Sequence, residues 1–524
     1  MSEPSRGHQD RTARPSAGLL GVLDDPALLI PDRAALIVDG VVTTYAELAC
    51  HVDSVASVLA REGVGPGDRV ALADDAGVAS VAAALALVRL GASAALMNPR
   101  LTSDELGTLA GAAAVGSVAV AGPRYVERLA RVPGLRVLPS DTLIGDTPGP
   151  ASPAEPVELP VASEADAMVL FTSGTTGTPK AIPLSRKSID RRIATFAPLF
   201  DPAANARVAV MCVPLVHIGG MLGMLVSLSR GDTTVLQVRF DAGQWLALVQ
   251  RHRVNSAFLV PTMLHRVLDH PDFDSYDLSS LDQLSYGAAP ASAELVTRAL
   301  AAFPKAQFSN VFGQTETLGS ITALGPDDHR AGATHRLASV GRPLPGVAIR
   351  IVDPSTGVDI APGDVGELWV KPQAAATLEP VSGDGPVAPP GWLRTGDLVH
   401  QDVEGYLYPT GRISETINRG GEKFAPGEVE DVLRTHPAVS DVAVAGIPDH
   451  EMGHRVGAAV VAVGPVDANE LKAFCRERLA NYKAPEVVVF VDAIPYNDFG
   501  KVSRRALARL ISKRATPTES ELRG

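Results

Sequence analysis

The stretch AMVLFTSGTTGTPKAIPLS, Ala167 to Ser185, runs from a short apolar segment straight into a cluster of Gly, Ser and Thr. That order predicts a strand followed by a loop whose backbone amides and hydroxyls can wrap the oxygens of a polyphosphate. It is not a Walker A loop, in which the lysine follows a glycine directly and precedes Ser or Thr. Here Lys180 follows Pro179, and the Gly500-Lys501 pair is followed by Val502. Taken alone, the cluster reads equally well as a flexible Gly/Ser/Thr loop of an α/β protein.

Upstream of this stretch, β-branched runs alternate with helical ones: ALIVDG from Ala35, TTYAELACHVDSVASVLAREG, DRVALA, then an Ala-rich helix ending at Gly91. Such a rhythm predicts βαβ units on a parallel sheet. The Pro- and acid-rich segment PGPASPAEPVELPVASEAD reads as a surface linker into the strand. Downstream, a second Pro/Gly-rich stretch, Pro372 to Gly391, precedes GWLRTGDLVHQDVEGYLYPTGR, whose Gly and aromatic spacing predicts β-hairpins. Beyond Arg412 the runs EVEDVLRTHPAV, DVAVAGIPD, RVGAAVVAVG, ANELKAFCRERLA and VVVFVDAIP alternate helix and strand over about a hundred residues, enough for a separate small α+β domain. The expected organisation is a disordered leader over 1–18, a large domain over 19–411 and a small domain over 412–524. No fixed-period repeat or heptad pattern occurs.

A chain of 524 residues exceeds the size at which one core stops growing, which agrees with two domains. The net charge of −12 argues against a nucleic-acid partner, whose phosphates require a basic face. Three cysteines, Cys50, Cys212 and Cys475, lie far apart without a CxxC pair, so a reducing, cytoplasmic setting is expected. The leader MSEPSRGHQDRTARPSAG lacks the apolar core of a signal peptide. The most apolar stretch, Val78 to Val88, is far shorter than the roughly 20 residues of a membrane span.

The glycine-rich string resembles the signature [YF]TSG[ST]TGxPKG of the superfamily of AMP-forming acyl-CoA synthetases, peptide-synthetase adenylation domains and luciferases, with Ala181 in place of the last Gly. Other blocks of that superfamily follow in order over nearly the whole chain. VPLVHIGGM is similar to its P-x-x-H-x-x-G block, SYGAAP to its adenine-lining loop, and NVFGQTET to YGxTE with Phe312 for Tyr. WLRTGD carries the TGD element, GRISETINRGGEKFAPGEVE resembles GR-x-[KD]-[DE]-x-I, and IPYNDFGKVSRRAL resembles P-x-x-x-x-GK-[IVL]-x-R-[RK].

The resemblance implies an α/β fold: a large N-terminal domain of stacked α/β subdomains with a β-rich part, and a small mobile C-terminal α+β domain. It also implies a site residue by residue. ATP would be held by Thr172, Ser173, Gly174, Thr175, Thr176, Gly177 and Lys180 at its phosphates, by Gly287, Ala288, Ala289, Phe312 and Gly313 around adenine, and by Thr315, Asp397 and Arg412 at phosphate and ribose. Lys501, Glu316, Thr175, Thr176 and His217 would carry catalysis, with Glu316 as the magnesium ligand, a function suited to a carboxylate because magnesium is a hard cation. His217, Gly219, Gly220 and Met221 would line the acyl pocket, Ser414 would be the hinge, and Gly420 and Gly421 would border the thiol channel.

ATP, magnesium and CoA are thus the expected cofactors and a small carboxylic acid the expected substrate. Each residue also has a bland reading: His217 as a buried structural histidine, SYGAAP as a tight turn, Glu316 as a helix-cap acid, Asp397 as a turn residue and Lys501 as a mobile surface lysine. IGGMLGMLVSL is apolar with several glycines, which favours a bulky hydrophobic monoacid, although GRISETINRGGEK also resembles short-chain and oxalate-type ligases. KPQAAATLEPVSGDGPVAPP lacks the aromatic element the superfamily usually shows there. Transfer of the acyl group to a carrier protein or partner enzyme, or a non-catalytic nucleotide-binding homologue, remain alternatives. HEMGH, His450 to His454, formally satisfies the zincin pattern HExxH, but Gly453 and the absence of a third ligand nearby argue for a surface loop.

Overall fold

Short strands such as the apolar Val118–Ala121 and the Ala-containing Ser93–Leu96 are buried throughout their length, as parallel strands covered on both faces must be. They belong to a six-stranded sheet in a computed structural model that describes residues 30–144, 164–172, 179–196, 207–330, 334–372, 386–496 and 502–515. The spatial order is Arg136–Pro139, Val118–Ala121, Arg69–Ala73, Ser93–Leu96, Asp166–Thr172 and Lys180–Ser185. The first five are parallel and the last is antiparallel to its neighbour. The Ala-rich helix Val78–Arg89 is buried from Ser80 to Val88, consistent with a stretch that lacks a polar face. It packs on the helix Tyr45–Arg61, which starts at a capping box of Thr44 and Glu47.

A second sheet of nine strands has at its centre six parallel ones, Gln307–Gln314, Gln283–Gly287, Ser256–Leu259, Val208–Met211, Thr233–Leu236 and Ala34–Val38. Here the reading of consecutive βαβ units from Ala34 is corrected. Ala34–Val38 does not share a sheet with Arg69–Ala73; it pairs with Thr233–Leu236 and forms a hairpin with the edge strand Val41–Thr44. The Asp39-Gly40 turn, both residues at positive φ, suits that hairpin. The Tyr45 hydroxyl secures the crossover by donating to the carbonyl oxygen of Asp232 at 2.7 Å. The largest apolar core lies between the two sheets, around the helices Tyr45–Arg61, Val78–Arg89 and Ile218–Ser229.

The β-rich part is a four-stranded antiparallel sheet of Ala348–Val352, Gly366–Lys371, Leu393–Gln401 and Leu407–Arg412, and of the hairpins expected in 391–412 one forms, between its last two strands. Its apolar face, with Leu368, Val370, Val399 and Leu407, packs on Ile321 of the large sheet. The chain changes sheets at the 3-10 turn Ile413–Glu415, just after Arg412. Ile417–Arg419, Glu422–Phe424, Val439–Asp449, Gly453–Ala462 and Val487–Phe490 then build a five-stranded sheet with three helices, the last being Arg504–Ala515. HEMGH is the turn between Val439–Asp449 and Gly453–Ala462, with Gly453 at φ +75° and Asp449 accepting from the amides of Glu451 and Met452. Among the described residues no group of three or more His, Cys, Asp and Glu could hold a metal. No helix among them is long and apolar enough to cross a membrane.

Candidate active site

The strand Asp166–Thr172 ends with Thr172 opposite Lys180 across an antiparallel pair, so the glycine-rich segment joins two strands, not a strand and a helix as in a Walker A loop. Residues 173–178, and with them Ser173, Gly174, Thr175, Thr176 and Gly177, lie outside the described residues, as does Lys501. At the described end, the Thr172 hydroxyl donates to Glu316 Oε1 at 3.4 Å. That contact joins the two sheets at one point, the end of the strand Asp166–Thr172 and the acid that follows the strand Gln307–Gln314. Glu316 beside a hydroxyl fits magnesium, which is commonly held by one or two carboxylates together with substrate phosphates and water.

Gly287 closes its strand opposite Val311, and a Cβ on it would stand 2.1 Å from the Val311 carbonyl oxygen, so only glycine allows this approach. Ala288 follows at φ +66°, a left-handed conformation that costs an alanine about 1 kcal/mol and is found mainly where a functional loop is shaped. Alongside, Phe312 and Gly313 end the strand Gln307–Gln314. The Thr315-Glu316 bend beyond it is stitched by Thr317, whose hydroxyl accepts from the Gln314 amide at 3.0 Å and donates to the Gly319 carbonyl at 2.7 Å. Beneath the bend, the buried Arg192 donates to the Ser320 carbonyl oxygen, and burial pushes its guanidinium down to about 10. Thr317 and Arg192 were not singled out from the sequence. Only the polar repeat in QTET hinted at Thr317.

Asp397, 4 % exposed, faces Arg412 across paired strands and takes its Nε at 2.7 Å. Gln314 Nε2 donates to the other Asp397 oxygen at 2.5 Å and to the Thr395 carbonyl at 2.8 Å. Gln314, also missed from the sequence, therefore ties the strand Gln307–Gln314 of the large sheet to the Asp397 carboxylate of the four-stranded sheet. Gln314→Ala should raise KM for ATP roughly tenfold, since a hydrogen bond to a charged group contributes about 1.5–3 kcal/mol. Initial-rate kinetics of ATP-dependent pyrophosphate release checks this.

His217 caps the helix Ile218–Ser229 and lines a cavity with Asp74, Asp75, Asn98, Arg100 and Val238, where strand ends of both sheets converge. Such crevices beyond the carboxyl ends of parallel strands are where open α/β sheets bind ligands. A Cβ at Gly220 would lie 2.2 Å from the Pro214 carbonyl oxygen, so the helix can begin this close to the preceding chain only with glycine there. Gly219 has more room, with Phe258 and Val213 3.9 Å from its Cβ position. Met221 is buried in the core between the sheets. In the small domain, Ser414 lies within the turn Ile413–Glu415, and Gly420 and Gly421, both at positive φ, turn a tight hairpin whose Gly420 amide donates to the Met452 carbonyl at 2.8 Å.

This chain belongs to the AMP-binding enzyme family: residues 24–377 match the AMP-binding enzyme family and residues 428–501 match the AMP-binding enzyme C-terminal domain. It is 34 % identical over 502 residues to a feruloyl-CoA synthase of an Amycolatopsis species, covering 92 % of this chain and 97 % of that protein. It is 32 % identical over 514 residues to an indoleacetate–CoA ligase of Aromatoleum aromaticum, covering 94 % and 98 %. Among solved structures, o-succinylbenzoate CoA synthetase from Bacillus subtilis superposes with a TM-score of 0.81 at 30 % identity, covering 93 % of this chain and 97 % of that one. That enzyme has been seen with its acyl-adenylate intermediate, with AMP, and with ATP and a magnesium ion.

Proposed function

We propose that this chain is an ATP-dependent, AMP-forming carboxylic acid:CoA ligase whose substrate is an aryl-substituted or similarly bulky apolar acid. The observation that supports the reading is the pair of contacts Thr172–Glu316 and Gln314–Asp397–Arg412, which link residues of three sheets that the resemblance expects at phosphate, magnesium and ribose. The acids named for the three relatives all carry an aromatic ring, and the apolar helix Ile218–Ser229 with its glycines suits such a ring.

In this reading the substrate carboxylate attacks the α-phosphorus of ATP in line and pyrophosphate leaves. Asp397 holds the ribose hydroxyls, Arg412 braces Asp397, and Gly287 with Ala288 lets the adenine approach the backbone. Thr175, Thr176 and Lys501 hold the charge that develops on the phosphate oxygens. Glu316 would hold magnesium, which when bound would neutralise charge on the polyphosphate. The small domain, from the turn Ile413–Glu415 onward, then rotates about Ser414, withdrawing Lys501 and bringing the Gly420-Gly421 hairpin to the site so that the CoA thiol attacks the adenylate carbonyl. A cytoplasmic setting belongs to the same reading and is supported by three free cysteines.

The test is acid-dependent pyrophosphate release from ATP across aliphatic, aryl and polycyclic acids, each with and without CoA. Release with an acyl-CoA product from aryl acids is expected. Release without thioester would mean a carrier-protein thiol or partner enzyme as acceptor, and silence throughout would mean a non-catalytic nucleotide binder. Chelation by EDTA should lower pyrophosphate release by at least a hundredfold, and added magnesium should restore it.

A further inference from the structure

The described residues on either side of Lys501 are anchored. Before it, Tyr496 pairs with Val502 in an isolated antiparallel bridge, and the Tyr496 hydroxyl donates to the two carboxylate oxygens of Asp441 at 3.1 and 2.9 Å. After it comes Arg504, the first residue of the helix Arg504–Ala515. Arg504 Nη1 donates to the Val444 carbonyl at 2.8 Å, and its guanidinium pairs with Glu430, a buried carboxylate that also accepts the Val444 amide at 2.8 Å. The third arm, Nε, reaches Glu415 Oε2 at 3.4 Å. Glu415 is the last residue of the turn Ile413–Glu415 and the neighbour of Ser414.

We infer that Arg504 is a positioning residue that locks the turn beside Ser414 to the Lys501 segment, so that rotation is confined to Ser414 and Lys501 swings on a fixed arm. The guanidinium suits this because its donors point in fixed directions in one plane; one edge stays with the buried Glu430 while the Nε holds Glu415. A lysine, with a single compact charge, could hold one partner or the other. Without the Glu415 contact, residues 415 and 416 would share the rotation and Lys501 would arrive at the phosphates less well placed, a displacement that costs rate more than binding.

The inference rests on the ligase reading above, and wild-type enzyme separates the two: absence of pyrophosphate release or of acyl-CoA there would remove that reading before any variant is considered. Glu415→Gln is the first variant, because Glu415 is one-third exposed and its change leaves the Arg504–Glu430 pair in place. Single-turnover adenylation should slow five- to tenfold with KM for ATP and acid unchanged, while transfer from preformed adenylate to CoA stays within twofold and the melting temperature is unaltered. Arg504→Lys should show a similar adenylation defect, and the double variant should be no slower than Arg504→Lys alone, since both changes remove one contact. Wild-type adenylation rates in Glu415→Gln, equal slowing of both half-reactions, or additive losses in the double variant would each overturn the coupling. If Arg504→Lys melts early, Glu415→Gln alone decides.

Discussion

Lys501→Ala is expected to reduce the rate of acyl-adenylate formation by about 10²–10³, the loss typical when one preorganised charge-stabilising donor is removed from a transition state. An ammonium group is a compact point charge on a flexible stem, suited to following negative charge as it moves between phosphate oxygens. KM for ATP should change little, because a contact made in the transition state alone alters kcat and kcat/KM together. The second half-reaction separates this from general damage: acyl-adenylate supplied ready-made should still pass to CoA at close to the wild-type rate, since in the proposed reading Lys501 is withdrawn for that step. The variant should also melt with the wild type, because the Tyr496–Asp441 and Arg504–Glu430 anchors on either side remain. Adenylation within a few-fold of wild type would refute the assignment.

Asp397→Ala should be costly in both stability and binding. The carboxylate sits in a covered position, 4 % exposed, with Arg412 on one oxygen and Gln314 on the other. Its removal leaves a guanidinium and an amide without their acceptor. Arg412 is 44 % exposed and can turn to water, so the loss is chiefly that of the hydrogen bonds to a charged acceptor, about 1.5–3 kcal/mol, enough to lower the urea midpoint. Asp397→Asn keeps the volume and one acceptor oxygen but turns its other edge into a donor, so a loss about half as large is expected, with ATP binding still strongly weakened because a ribose hydroxyl loses its acceptor. Denaturant titration for stability and calorimetry with AMP for binding test the two effects separately. A stable Asp397→Ala protein that binds AMP normally would show that Arg412 and Gln314, not the carboxylate, define this position.

The expected site could be read from the chain because its chemistry is encoded in short strings. A run of Gly, Ser and Thr after an apolar strand, an acid in QTET and an aspartate in TGD are local patterns; the acid follows the end of the strand Gln307–Gln314, and the aspartate lies within the strand Leu393–Gln401. The rejection of HEMGH as a zinc helix was also local: a glycine in the supposed helix and a preceding Pro-Asp favour a turn, and a turn is what forms, with Gly453 at positive φ. Gln314 shows the other side. It stands inside a string that was read, yet its partners lie 81 and 83 residues away, at Thr395 and Asp397. Nothing in the identity of a glutamine says which carbonyl it will meet. The same holds for Arg504, legible as part of a string around Lys501 but not as the residue that reaches both Glu430 and Glu415.

By itself, then, the sequence determined the class of fold, the order of the chemical blocks and the change of texture near Arg412, because strand and helix periods and turn residues act over a few positions. Only the tertiary structure decided that Ala34–Val38 leaves its neighbours to pair with Thr233–Leu236, that Ala288 adopts a left-handed backbone beside Val311, and that Arg192 supports the bend carrying Glu316. The physical reason is common to all three. A buried parallel strand presents much the same apolar pattern whichever neighbour it joins, and a buried polar group is satisfied by whatever the packed core brings within about 3 Å. Those partners are set by the closure of distant segments on one another, which local sequence does not specify.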